Sequence, residues 1–297
     1  MEELERVKRK IKNAGELQSV VKIMKAISST NIREYERAVE SLAEYSRSIE
    51  MGLAVMMKSG KIVPAFSPAR EGGLLGTVIF GSEQGLCGKF NEQIASFALA
   101  ELAEMDHQET RAVAVGERVI GHLEDGGLSI EAQFSFSGDF IGITEVMAEV
   151  LVKIEEWRIE GGLDRIVLFY NRPASGPLAA FRPSMARLLP LDAGWLNELA
   201  ERRWPSRSLP TFSMDPDRLF SSLVREQIFS SLYRAFVESL ASENASRLSS
   251  MQAAERNIEE HLNELSSQYR KRRQEAISSE MQDVLVGFEA LIGERRG

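Results

Sequence analysis

Apolar residues return every three or four positions from Leu4 to Met57, and no proline interrupts them. Leu4, Val7, Ile11, Ala14, Val21, Met24 and Ile27, then Tyr35, Val39, Leu42, Tyr45, Ile49 and Met56, trace one stripe. The pattern recurs from Asp217 to Ile292, through Phe220, Leu223, Leu232, Phe236, Leu240, Met251, Ala254, Ile258, Leu262, Leu265, Tyr269, Met281 and Leu285. Helical periodicity sustained far past about 25 residues reads as coiled coil, membrane span or helical repeat. Both stripes carry too much charge for a span, and no repeat is visible. The pattern therefore predicts a long antiparallel coiled coil formed by the two ends of one chain. A helix of roughly 55 residues is about 80 Å long, a length that suits a shaft, lever or spacer better than a globular enzyme.

Between the stripes the period shortens. Leu74–Phe80, Arg111–Gly116, Leu128–Phe136, Asp164–Tyr170 and Ala179–Leu189 read as strands. Helices are expected at Asn91–Met105, from Glu117, and at Thr144–Glu160. Strand–helix alternation predicts a largely parallel, Rossmann-like sheet with helices on its faces. The fold class is thus α/β, with the coiled coil attached. The expected divisions are a coiled-coil helix over 1–59, a linker over 60–73 holding Pro64, Pro68, Gly72 and Gly73, and an α/β domain over 74–205. A C-terminal coiled-coil segment over 206–297 follows, with Pro210 and Pro216 near its start and Pro205 just before it.

Composition narrows the classes. The chain has 297 residues, 43% of them hydrophobic and 27% charged, with a net charge of -8. That acidity argues against general nucleic-acid binding. Charge is uneven, because residues 1–33 hold eight Lys and Arg against four Glu. A basic helix on an acidic protein points to an acidic partner there, or simply to a solvated face. No apolar run approaches the ~20 residues of a membrane span, and the charged start carries no signal-peptide pattern. A lone Cys87 allows no internal disulfide, so cytoplasmic residence is the default expectation. His107, His122 and His261 are scattered, so no metal or other cofactor is expected.

Candidate chemistry is sparse. Gly81-Ser-Glu-Gln-Gly-Leu-Cys-Gly88 follows a strand and precedes a helix, where backbone amides can hold a phosphate. It matches neither glycine-rich nucleotide fingerprint, since Lys89 is followed by Phe90 rather than Ser or Thr. A tight strand-to-helix turn or a protein contact fits better. Cys87 lacks a visible base and reads as structural. Glu155-Glu156, Glu259-Glu260 and Arg270 to Arg273 fall on helices, where solvated charge is ordinary; the arginine run is alternatively a grip for an acidic loop. No active site assembles from these residues.

Three separated patches carry a resemblance. Ile11-Lys12 with Gln18-Ser-Val-Val-Lys22-Ile-Met24-Lys25, the Gly81–Gly88 loop with Phe90-Asn91, and Leu232-Tyr-Arg-Ala235 leading to Glu238–Glu243, Arg247 and Met251 are similar to the γ subunit of F-type rotary ATP synthases. Gln274, Ile277, Glu280, Asp283 and Gly287 fall where that family's closing signature lies. Departures occur at Ala26 for a usual Met, Asn31 for a usual Lys, Ser28 to Thr30 for a small run, Ser278 for Thr, and Phe288 for a small residue. They suggest a divergent paralogue, such as the shaft of an alternative ion-translocating ATPase.

The resemblance implies a non-catalytic subunit: a rotating shaft inside a ring of α and β subunits that hold the ATP sites. It also implies ε and a membrane ring of c subunits as partners at the foot, no nucleic acid, and a place on the cytoplasmic face of the plasma membrane. The implied contacts to the ring are Gln18, Lys22, Met24 and Lys25 in the first helix and Gly81, Gly85, Leu86, Cys87 and Gly88 in the loop. In the last helix they are Arg247, Gln274, Ser278, Glu280 and Asp283, with Lys22 and Lys25 meeting acidic loops of β. Without the resemblance, a static coiled-coil adaptor and a nucleotide-binding α/β enzyme remain open.

Overall fold

The structure, a computed structural model, describes residues 2–59, 73–136, 140–161, 163, 165–174, 181–204, 208 and 210–294, without the side chains of 2, 140, 161, 283 and 286–294. Nearly all of the expected linker, Pro205, Asp164, Ala179 and the side chains of Asp283 and Phe288 lie outside the described residues. The elements are α1 (Glu2–Lys58), β1 (Leu74–Phe80), α2 (Phe90–Glu104), β2 (Glu109–Val115), α3 (Ile120–Asp125), β3 (Ile130–Phe134), α4 (Phe140–Gly161), β4 (Arg165–Pro173), β5 (Phe181–Leu189), α5 (Ala193–Glu201) and α6 (Pro216–Glu294). The chain forms two compact units: one of residues 1–27 with 248–297, the other of residues 28–247.

The larger unit is built on a five-stranded sheet ordered β3-β2-β1-β4-β5. The first four strands are parallel, with Val78 beside both Val113 and Leu168. β5 runs antiparallel to β4, pairing Met185 with Phe169. Residues 174–180 are too few for the crossover that a parallel return needs. Alternation along β1 sorts the core into two layers. Val78 and Phe80 face α4 and α6 with Val113, Leu168, Trp157 and Phe236. Leu75 and Ile79 face α2 and α3 with Ile94, Ala98, Ala114 and Leu123. Phe80 stacks on Phe236 at 5.2 Å between ring centroids, an arrangement that adds roughly 1 kcal/mol beyond burial.

α5 was not foreseen from the periodicity. Asp192 caps it, accepting hydrogen bonds from the amides of Gly194 at 2.7 Å and Trp195 at 3.4 Å. Leu196 and Leu199 are buried against Ile49 and Leu53 of α1. α4 begins at Phe140 rather than Thr144, and β3 is shorter than its apolar run.

α1 and α6 are antiparallel in each unit. In the larger one, Asn31 pairs with Asn244 and Ser46 with Ser230. In the smaller one, Lys25 pairs with Glu255 and Arg272 with Glu3. The seam of α1 follows alternating steps of four and three, through Val7, Ile11, Ala14, Gln18, Val21 and Lys25 in the smaller unit, the heptad rule for a helix pair. The structure corrects the apolar stripe here. Ile27, Tyr45, Met281 and Leu285 are exposed, while polar Gln18 and Lys25 turn inward. Following the nearest apolar residue shifted the stripe by one or two positions, off the 3.5-residue period.

Candidate functional site

The loop between β1 and α2 is held at several points. Gly81 donates its amide to the Val115 carbonyl at 2.8 Å. A Cβ at Gly81 would lie 2.4 Å from the Val119 Cβ, so only glycine fits. The Ser82 amide donates to Asn91 Oδ1 at 2.9 Å, and Asn91 Nδ2 donates back to Ser82 Oγ at 2.8 Å. This reciprocal pair closes the loop on the first turn of α2. Leu86 at the tip has φ of 65° and is 61% exposed. Left-handed backbone is costly for a leucine, so its neighbours hold it there.

Those neighbours include the middle of α6. Ser246 Oγ donates to the Cys87 carbonyl at 2.6 Å. Arg247 reaches the carbonyls of Gln84 at 3.3 Å and Gly85 at 3.4 Å, and pairs with Glu243 at 2.5 Å. Arg247 and Glu243 are both buried. Burial pushes the Glu243 carboxyl up, the Arg247 guanidinium opposes that, and Glu83 adds a further push upward. The loop therefore turns carbonyls toward a buried cation. Cys87 is 2% exposed, and burial pushes its thiol up, which makes it an inert structural thiol rather than a nucleophile.

The structure brings Gly81, Gly85, Leu86, Cys87, Gly88 and Arg247 together in this clasp. Arg247 acts within its own unit, binding the loop. In the smaller unit, Lys22 is exposed, Gln18 and Met24 are half-buried, and Lys25 is tied to Glu255, whose carboxyl that hydrogen bond holds low. Gln274, Ser278 and Glu280 are exposed on α6. They are not gathered with the first-helix candidates, since Gln274 lies roughly 28 Å along the helix from Glu255 at 1.5 Å per residue. Asp283 lies on the helix, but its side chain is outside the described residues.

Two features escaped the sequence reading. Ser246 gave no sign, because a serine inside a helix is usually neutral. The second is a row of exposed apolar residues on the back of α1: Leu17 at 54%, Val20 at 52%, Ile23 at 60% and Ile27 at 55%. Their spacing of three and four was available, but it was hidden by the stronger seam beside it. On α6, Ile277, Met281, Val284 and Leu285 are exposed beyond the point where Arg272 meets Glu3. Among the described residues, no group of His, Cys, Asp and Glu could hold a metal.

In the larger unit the polar groups of the loop are engaged in holding its own shape, and in the smaller unit the helices carry apolar outer faces, the mark of a surface that meets partners. Residues 3–291 match the model of the ATP synthase family, and the chain belongs to that family. Its relatives include the ATP synthase gamma chain of Histophilus somni strain 129Pt, 28% identical over 96% of this chain and 98% of that one. The gamma chain of Pasteurella multocida is 27% identical over the same shares. Among solved structures, the fold is similar to a chain of the Euglena gracilis mitochondrial ATP synthase rotor, with a TM-score of 0.61 over 92% of this chain and 98% of that one at 15% identity. A chain of its OSCP/F1/c-ring assembly gives 0.66 over 99% and 96% at 14% identity.

Proposed function

We propose that this chain is the central shaft of an F-type ATP synthase, turning inside a ring of α and β subunits. It couples ion flow through the membrane sector to ATP synthesis or hydrolysis in that ring. The observation that carries this reading is the second apolar face of the smaller unit. A coiled coil needs apolar residues only along its seam. A helix apolar on its back as well is built to be surrounded, and Leu17, Val20, Ile23 and Ile27 form such a back.

One asymmetric chain cannot meet three equivalent β subunits alike. Each β is then biased toward a different state by its own contact free energy with the shaft, and rotation passes those biases around the ring. The ATP chemistry stays in the ring. Lys22, exposed on the flank of the seam near Glu255, suits an acidic loop of β, where charge sets orientation more than affinity. Leu86 on its clasped loop suits a contact at the mouth of the ring. Gln274, Ser278 and Glu280 supply polar contacts farther along α6. ε and the c ring are the partners at the foot.

Among the described residues, no helix is long and apolar enough to cross a membrane. As part of a membrane-associated complex the chain is then a peripheral subunit, and its place on this reading is the cytoplasmic face of the plasma membrane.

The test is the ATPase activity of the cognate α and β subunits purified with and without this chain. A stable complex whose steady multi-site turnover depends on the chain is expected. A complex with unchanged turnover would make it a static adaptor.

A further inference from the structure

The larger unit contains a cleft of about 720 Å³ that none of the contacts described above involves. It opens where the end of α4, the end of β5 and the first turns of α6 converge. Its floor is apolar, formed by Ile154, Leu163, Leu189 and Ile228, all buried members of the core. Among the described residues, its rim carries three guanidinium groups, Arg158, Arg218 and Arg225, against one carboxylate, Glu155. Arg225 Nε is paired with Glu155 Oε1 at 3.2 Å. Among the described residues, Arg158 and Arg218 are in no ion pair. The cleft is therefore cationic on a chain whose net charge is -8.

That combination selects a ligand class. The volume falls within the range of small-molecule sites. An apolar floor favours a hydrocarbon body, while two uncommitted guanidiniums at the rim suit the fork geometry of phosphate or carboxylate. A purely polar anion would leave the floor unfilled, and a cation would meet like charge. We propose that this cleft binds an anionic amphiphile, with its phosphate or carboxylate head between Arg158 and Arg218 and its apolar body over Ile154 and Ile228. The same chemistry is offered by a phospholipid and by a free phosphorylated or carboxylated metabolite. The inference does not depend on the shaft reading.

Calorimetric titration of the full chain with octyl phosphate below its micellar concentration tests it. Binding is expected, with inorganic phosphate and octyltrimethylammonium at least about tenfold weaker. The R158A/R218A pair should weaken octyl phosphate by about tenfold or more, since charge-assisted contacts of this kind are lost. Both arginines are exposed, so the variant should keep its circular dichroism spectrum. Flotation with phosphatidylglycerol and phosphatidylcholine vesicles identifies the source. Arginine-dependent binding to the anionic vesicles assigns a lipid, and octyl phosphate binding without vesicle binding assigns a free metabolite. Absence of octyl phosphate binding, or binding unchanged in the double variant, overturns the proposal. Loss of complex assembly in the double variant without any amphiphile binding also overturns it, and would give the cleft to a protein partner.

Discussion

Replacing Arg247 with methionine removes the cation that holds the loop but keeps much of the volume. Glu243 is then left buried, 4% exposed, without its counter-charge. Breaking a buried pair on one side typically costs about 3 kcal/mol or more. A second route to the magnitude agrees. The orphaned carboxylate can escape by taking a proton, and from an ordinary value near 4.5 that costs about 3.4 kcal/mol at pH 7 and about 0.7 kcal/mol at pH 5. The guanidinium's contacts to Gln84 and Gly85, at 3.3 to 3.4 Å, are long and add about 1 kcal/mol. R247M is therefore expected to cost about 4 kcal/mol at pH 7, and less than half of that at pH 5.

The sign follows from linkage. Glu243 in the variant has a folded-state pKa above its unfolded one, so the fold is favoured at low pH and loses stability as pH rises through that window. The double variant E243Q/R247M removes both charges and should cost only about 1 to 2 kcal/mol. Urea unfolding followed by circular dichroism at the two pH values measures these terms, and hydrogen exchange at residues 84–88 reports the loop. A pH-independent cost for R247M, or a double variant as unstable as the single one, would refute the clasp.

Other consequences follow from neighbouring groups. Gly81→Ala should destabilise the larger unit by about 2 kcal/mol or more, because its Cβ would overlap Val119; thermal unfolding measures this. Tyr35 is pushed up to about 12, by burial first and then by Glu243 and Glu34. Its contribution is complete below pH 10 and is lost as pH rises toward 12, so Tyr35→Phe should flatten the alkaline decline in stability. Gln274→Ala with Glu280→Ala should leave the fold intact, both residues being exposed, while lowering coupled turnover of the assembled enzyme. Unchanged coupling would remove those two residues from the contact.

Long elements with a single period were the most legible in the sequence. The spans of α1 and α6, the strand at Leu74–Phe80 and the alternation around it could be read because burial of one face repeats over many residues. Side-chain orientation was less legible. Lys25 turns inward because Glu255 lies opposite it, and that partner is 230 positions away. The clasp was only half visible: the glycines and Arg247 stood out, but what Arg247 touches depends on how α6 passes the end of β1. α5 was overlooked although Asp192 and the Trp195, Leu196, Leu199 spacing announced it, because one short helix offers too few turns for its period to stand out.

The apolar back of α1 also bears on how smoothly a ring can turn around it. Hydrogen bonds have preferred directions and weaken steeply away from them. A surface studded with such groups would sit in deep angular wells and move in jerks. Burial of hydrocarbon is non-directional and scales with area. Leu17, Val20, Ile23 and Ile27 thus offer a contact whose free energy varies little with angle, and the few charged groups beside them can set where the shaft pauses.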